Sequence, residues 1–277
     1  MVQSRLVLIV SVLLVPTLSP LGLAAEPQGP LVVAHRGLLR HAPENTLSNF
    51  RACLELRVGF EFDVQRTSDG HLVCIHDETV DRTTNGSGVV AELTLAEIRQ
   101  LDAGSWFASE FSGEQVPTVK EVLTLVAEYR QHNVLVAVDL KSAEAGRDVA
   151  GIAGELRILD KLLFIGKTIF EPTVRQQIRQ AAAAAHTAAV ANNAGEFRAA
   201  LSTPDADWVY FRYLPTSEEI QAVRGLGKRT FIAGSNVSGN VPENWKHAAS
   251  VGIDSILTDY PLELRDRLRE MGARESR

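Results

Sequence analysis

The sequence predicts a closed (β/α)8 barrel of the TIM type, folded as a single α/β domain over residues 30–272. Three observations lead to that expectation. Short β-branched runs alternate with helical patterns, as they do where parallel strands are joined by crossover helices. The length of 277 residues suits one such barrel. Charged clusters follow the apolar runs directly, and a barrel collects its functional side chains at the C-terminal ends of its strands.

The candidate strands are 31–35, 59–63, 71–76, 134–139, 162–168, 187–191, 208–211, 229–233 and 255–258. These are nine candidates for eight places, so one of them is extra or is not a strand. Helical patterns cover 46–56, 94–101, 119–131, 172–185, 217–225 and 242–250. Asn45 or Thr46 can cap the first helix, and Thr94 with Glu97 three residues on forms a capping box. The alanine run 181–185 is a strong helix former and predicts an outer helix face. One connection is irregular. Between Asp63 and His76 there is no room for a helix, only Ser68-Asp69-Gly70 as a turn. The second and third strand candidates are therefore joined without a helix. If they are parallel, an extended descent and climb at roughly 3.3 Å per residue returns Asp63 and His76 to one rim. A plain antiparallel hairpin would separate the two residues to opposite ends unless its register were skewed.

Hydrophobic content of 45% and charged content of 22% are ordinary for a globular chain with a large core. A net charge of −6 argues against a nucleic-acid footprint, and no block of basic residues suggests a membrane patch. The first 25 residues differ from the rest. Arg5, an apolar run over 6–15, two prolines and Gly22-Leu23-Ala24-Ala25 read as a secretory signal peptide cleaved after Ala24 or Ala25. The apolar run is short for a membrane span, so export without stable membrane insertion is expected, to the periplasm or outside the cell. Export permits disulfides, but Cys53 falls on a helix and Cys74 in a strand. Both read as small buried hydrophobes, and whether they are bridged stays open.

The chemistry concentrates between residues 35 and 141. Glu61 and Asp63 are one residue apart, so on a strand both point to the same face. Asp139 ends another apolar strand and adds a third carboxylate at the same rim. Buried together without a partner these groups would repel, and a divalent cation relieves that. An all-oxygen ligand set favours Mg²⁺ or Ca²⁺ over zinc. His35 and His76 each follow an apolar strand and suit an acid/base pair. Arg36 and Lys141 would hold phosphate oxygens, the first by a bidentate fork and the second as a point charge. His41, His71, His132, His186 and His247 read as surface residues of loops and helices. A cation, a base and an acid are the three aids that phosphodiester cleavage needs.

The ordered motifs then point to a family. His35-Arg36-Gly37, Pro43-Glu44-Asn45-Thr46, Glu61-Phe62-Asp63-Val64, Thr67-Ser68-Asp69-Gly70, His76-Asp77 and the run 82–88 together resemble the glycerophosphodiester phosphodiesterases. The likeness extends through 93–98, 101–107 and 116–119 and ends at Thr258-Asp259-Tyr260-Pro261, dense to about residue 141 and thin over 145–250. It implies a phosphoinositide phospholipase C-like barrel that hydrolyses glycerophosphodiesters to glycerol 3-phosphate and an alcohol. It implies His35 and His76 as the acid/base pair and Glu61 and Asp63 as metal ligands. Arg36 and Lys141 would contact phosphate, with Glu44 orienting Arg36. The chain departs from the pattern twice. Asp139 stands where the family often has glutamate, and residues 232–236 lack the tryptophan of a Trp-Thr-Val-Asn run that packs on glycerol carbons. Trp208, Phe211 and Tyr213 are the aromatics nearest in sequence to replace it, although Trp208 reads first as packing. Two other readings are the same fold and site acting on another phosphodiester or a lipid, and a non-catalytic phosphate-binding barrel. Loss of a histidine or a metal ligand would mark the last, and both histidines and all three carboxylates are present.

Overall fold

In the computed structural model, which describes residues 29–275, eight parallel strands close into a barrel. They are β1 (Leu31–Ala34), β2 (Gly59–Arg66), β4 (Val136–Leu140), β5 (Leu162–Gly166), β6 (His186–Ala191), β7 (Trp208–Phe211), β8 (Arg229–Ile232) and β9 (Ser255–Thr258). The ring closes where Val33 of β1 pairs with Gly59 of β2. The expected signal segment lies outside the described residues. The helices are α1 (Leu47–Glu55), α2 (Leu95–Ile98), α3 (Val119–Glu128), α4 (Ala145–Leu156), α5 (Lys167–Phe170), α6 (Pro172–Ala181), α7 (Phe197–Leu201), α8 (Ser217–Gly225), α9 (Pro242–Val251) and α10 (Pro261–Glu275).

The period-2 alternation of each strand sorts its side chains into two layers. Val33, Ala137, Leu163, Ile165, Ala188, Trp208, Tyr210 and Phe231 fill the lumen. Their neighbours Phe60, Phe62, Val136, Val138, Phe164, Val209, Phe211 and Ile232 pack outward against the helices. Phe50 of α1 stacks on Phe60 with ring centroids 4.2 Å apart, and burial of each such side chain contributes about 1.5–3 kcal/mol.

The extra strand candidate is β3 (Leu72–Cys74), which lies outside the ring and pairs antiparallel with β2, Val64 opposite Cys74 and Arg66 opposite Leu72. The irregular connection is thus a hairpin, not an extended descent and climb. It does not separate Asp63 from His76, because β2 runs three residues past Asp63, which is level with Asp139 of β4. The hairpin therefore stands above the barrel mouth, and its return arm comes back to the level of the rim. Val73, Ile75, Val80, Val90, Ile98, Ala103 and Val116 give this raised segment a small core of its own.

Three local expectations change. The alanine run does not extend the helix: α6 stops at Ala181, and Ala182 is extended. The chain must reverse there to set His186 beside Leu163, and strand pairing overrides helix propensity. His186 accordingly begins β6 instead of lying in a loop or helix. Thr46 is the N-cap of α1 without a side-chain bond to the helix, while Thr94 and Glu97 form the expected capping box. Cys53 and Cys74 are both buried and free.

Candidate active site

The same alternation that fills the lumen places the polar residues one step above it. On β1 it carries Val33 to His35, on β4 Ala137 to Asp139 and Lys141, and past β9 Leu257 to Asp259. On β2 two successive inward positions are acidic, Glu61 and Asp63, and both are buried. Oxygen atoms from Glu61, Asp63 and Asp139 lie within 4.8 Å of one another, a group able to hold a metal ion.

The surroundings hold these carboxylates without neutralising them. Glu61 Oε2 accepts the backbone N–H of Arg36 at 2.9 Å. Asp63 Oδ2 accepts the Asn45 amide at 2.8 Å, and the Asp63 N–H is donated back to Asn45 Oδ1 at 3.2 Å. Lys141 Nζ sits 2.7 Å from Asp63 and 3.3 Å from Asp139. Burial first, then the charges of Asp63 and Asp139, push the Glu61 carboxyl well above the usual carboxylate range. Burial also raises Asp139. For Lys141 burial acts downward, but the facing carboxylates outweigh it and hold its ammonium above the ordinary value. A hard divalent cation among the three carboxylates would relieve both the desolvation and the repulsion, so the donor set fits one. One donor at the site is also unspent: Arg36 Nε is buried without a hydrogen-bond partner, 3.6 Å from Asp63 Oδ2.

Gly166, at the end of β5, gives Asp139 its room. Its φ is +74°, and a Cβ there would fall 2.4 Å from Asp139 Oδ1 and 2.7 Å from the Leu140 backbone. Gly166→Ala should cost about 1–3 kcal/mol of stability in urea denaturation, since alanine pays for the left-handed backbone and the contact. It should also weaken divalent-ion binding by displacing Asp139. A variant as stable as the parent would show that the site tolerates a side chain at this position.

Each histidine is held by a carboxylate. His35 Nδ1 is 2.6 Å from Asp259 Oδ1, which leaves Nε2 facing Glu61 at 4.0 Å. His76 Nδ1 is 2.7 Å from Asp77 Oδ1. The His35 contact keeps Asp259 below its ordinary range, and Arg82 does the same for Asp77, with His76 adding to it. Arg82 donates to Asp77 through Nε at 2.7 Å and Nη2 at 3.0 Å. It also forms a two-pronged pair with the buried Glu44, both bonds at 2.8 Å. Glu44 in turn accepts Arg36 Nη1 at 3.2 Å. One continuous run, His76–Asp77–Arg82–Glu44–Arg36, thus ties the raised hairpin arm to the turn after β1.

All eight expected site residues therefore meet at one end of the barrel. Glu44 holds Arg36 as expected, but it also holds Arg82. Asp259, Asp77 and Arg82 join the site without a role assigned to them from the sequence, and Asn45, expected as a helix cap, binds Asp63 instead. The adjacency of Asp77 to His76 was a signal for one of them; the others pair across the fold, and Arg82 spans 38 residues to reach Glu44. Arg82→Gln should lower kcat/KM by about 10–100-fold, as loss of an orienting partner does, with kcat and KM both affected. Arg82→Lys should restore only part, because a point charge cannot serve two carboxylates as a fork does. A change confined to stability, with both parameters intact, would reduce Arg82 to a structural tie.

The aromatics also differ from expectation. Trp208 is buried low in the lumen under Arg229, Phe211 faces outward against Phe197, and Tyr213 is bound to Glu219. None of the three lines the mouth. Tyr210 and the exposed Phe170 lie there instead, on either side of Arg212.

Comparison with known proteins is consistent with this geometry. The profile of the glycerophosphoryl diester phosphodiesterase family matches residues 35–263. A glycerophosphodiester phosphodiesterase of Caldanaerobacter subterraneus is 52% identical over 113 residues, 40% of this chain and 45% of that protein. The matched stretch thus spans less than half the length of that curated relative. Among solved structures, a glycerophosphodiester phosphodiesterase from Agrobacterium tumefaciens superposes with a TM-score of 0.69 at 28% identity, covering 84% of this chain and 97% of that one. An Oleispira antarctica phosphodiesterase superposes equally well, with a TM-score of 0.69 over 87% of this chain and 97% of that one, but at 24% identity it speaks for the fold alone.

Proposed function

The chain belongs to the glycerophosphoryl diester phosphodiesterase family, and on that premise we propose that it hydrolyses glycerophosphodiesters to glycerol 3-phosphate and an alcohol. The observation that carries this reading is the placement of His35 and His76, each braced by its own carboxylate, beside the buried group Glu61, Asp63 and Asp139.

The residues divide the work as follows. One histidine takes the proton of the attacking oxygen, that of a water or of a substrate hydroxyl whose cyclic phosphate a water then opens, as that oxygen bonds to phosphorus. The other gives its proton to the alcohol oxygen as the old phosphorus–oxygen bond breaks. Asp259 and Asp77 keep one ring nitrogen of each histidine bound, so the other nitrogen is the one that exchanges protons. Arg36 brings its guanidinium, and Lys141 its ammonium, to the phosphate oxygens. Glu61, Asp63 and Asp139 would hold Mg²⁺ or Ca²⁺, which supplies charge to neutralise the phosphate.

The features of residues 1–25 support export with cleavage, and we place the mature enzyme in the periplasm or outside the cell. Among the described residues no helix is long and apolar enough to cross a membrane. The decisive assay offers the protein a panel of glycerophosphodiesters, intact phospholipids and nucleotide diesters. Release of glycerol 3-phosphate from the first group supports the proposal. Turnover of only the other groups would move the activity to another phosphodiester, and no turnover at all would leave a binding barrel.

A further inference from the structure

Around the mouth the charges are unevenly placed. The carboxylates and their partners come from β1, β2, β4 and β9, whereas β7 lies four strands round the ring from β2 and so directly across from Glu61 and Asp63. The inward alternation of β7 runs from Trp208 through Tyr210 and carries the next inward position to Arg212. The Arg212 guanidinium carbon stands 5.3 Å from the Tyr210 ring centroid and 5.7 Å from that of Phe170. Phe170 is 57% exposed. It ends α5, whose preceding residue Ile169 packs on the lumen. The phenol of Tyr210 is pushed up by burial, and the charges of Asp139 and Glu61 add to that rise while Arg212 offsets it. Tyr210 faces inward from β7 and Phe170 follows Ile169 of the lumen cluster, so both rings lie toward the mouth.

Arg212 differs from the other cations of the site. Arg36, Arg82 and Lys141 each bind a carboxylate, but among the described residues no carboxylate lies within ion-pair distance of Arg212. The rings of Tyr210 and Phe170 lie beside its guanidinium, the Tyr210 hydroxyl takes one of its donors, and the remaining donors meet no carboxylate among the described residues. An exposed guanidinium held against two rings, with donors left over, is suited to a planar or tetrahedral anion, which it can bind by charge-assisted bonds.

We propose that Arg212, held beside Tyr210 and Phe170, selects phosphodiesters whose ester arm carries a second anionic group, a phosphomonoester or a carboxylate. The scissile phosphate rests on the side of Arg36 and the three carboxylates, and the arm extends across the mouth to β7. This inference rests on the phosphodiesterase reading above, and it names the class of alcohol the enzyme prefers. A cationic arm such as choline gains nothing from Arg212 and is disfavoured by it.

The test compares glycerophosphoinositol with glycerophosphoinositol 4-phosphate, a pair that differs only in the distal anion. The parent enzyme should favour the phosphorylated member in kcat/KM, and Arg212→Gln should reduce that ratio by about 10–100-fold. Arg212→Lys should keep part of it. A parent ratio near one, or a ratio that Arg212→Gln leaves unchanged because both substrates suffer alike, would overturn the proposal. The latter result would assign Arg212 to the scissile phosphate. Calorimetric binding of the two intact diesters to His76→Ala repeats the comparison without turnover. Absence of cleavage with a preserved binding preference would therefore sink the activity reading alone, and absence of the preference would sink this one.

Discussion

Exhaustive chelation should bring glycerophosphodiester turnover to background, and Mg²⁺ or Ca²⁺ added back should restore it. The expectation follows from the balance of charge at the rim. Three carboxylates crowd within 4.8 Å, and Lys141 is the only ammonium among the described residues that touches more than one of them. With no divalent ion, the burial and the repulsion that raise Glu61 persist and nothing at this group neutralises the phosphate beyond Arg36 and Lys141. Glu61→Gln and Asp63→Asn should each abolish the metal response. Asp139→Asn should weaken metal affinity without unfolding the barrel, because this rim residue is not part of the packed core. A second readout does not depend on activity. If the ion binds the folded chain, saturation at 100 times its Kd should add about 2.7 kcal/mol of stability, seen as a rise in Tm. Full turnover after chelation, together with a Tm indifferent to divalent ions, would dispose of the metal site.

Replacing either histidine by alanine should cut turnover by about 10²–10⁴-fold, the usual worth of general acid–base catalysis. His35 and His76 approach the carboxylate group from β1 and from the hairpin arm, so they serve two ends of one displacement. Because both would act in the same step, the double variant should lose less than the product of the two single losses. Asp259→Asn should mimic a milder His35 defect, since the ring would keep its place but lose its charged partner at 2.6 Å. Strictly multiplicative losses, or near-parental turnover in either single variant, would separate the two histidines into unrelated roles.

Much of this site could be read along the chain, because its reasons are local. Strand alternation alone puts Glu61 and Asp63 on one face and sets Asp139 two residues above Ala137, wherever the strands finally lie. The alternation of strand and helix likewise specifies a parallel barrel, because only crossover connections join parallel strands. Side-chain chemistry then proposes a cation, an acid and a base. What the tertiary structure decided is every relation that spans the ring. Asn45 looked like a helix cap and instead grips Asp63, because its turn packs beside β2. The alanine run 181–185 has the best helix propensity in the chain, yet the strand pairing that closes the barrel ends the helix at its first residue. Asp259 reaches His35 across 224 residues, and Arg82 joins Glu44 to Asp77 only because the hairpin rises above the mouth. Propensity and periodicity act over a few residues and are written in the sequence. Ring closure sets distances between segments far apart in the chain, and those depend on how the strands come round to meet.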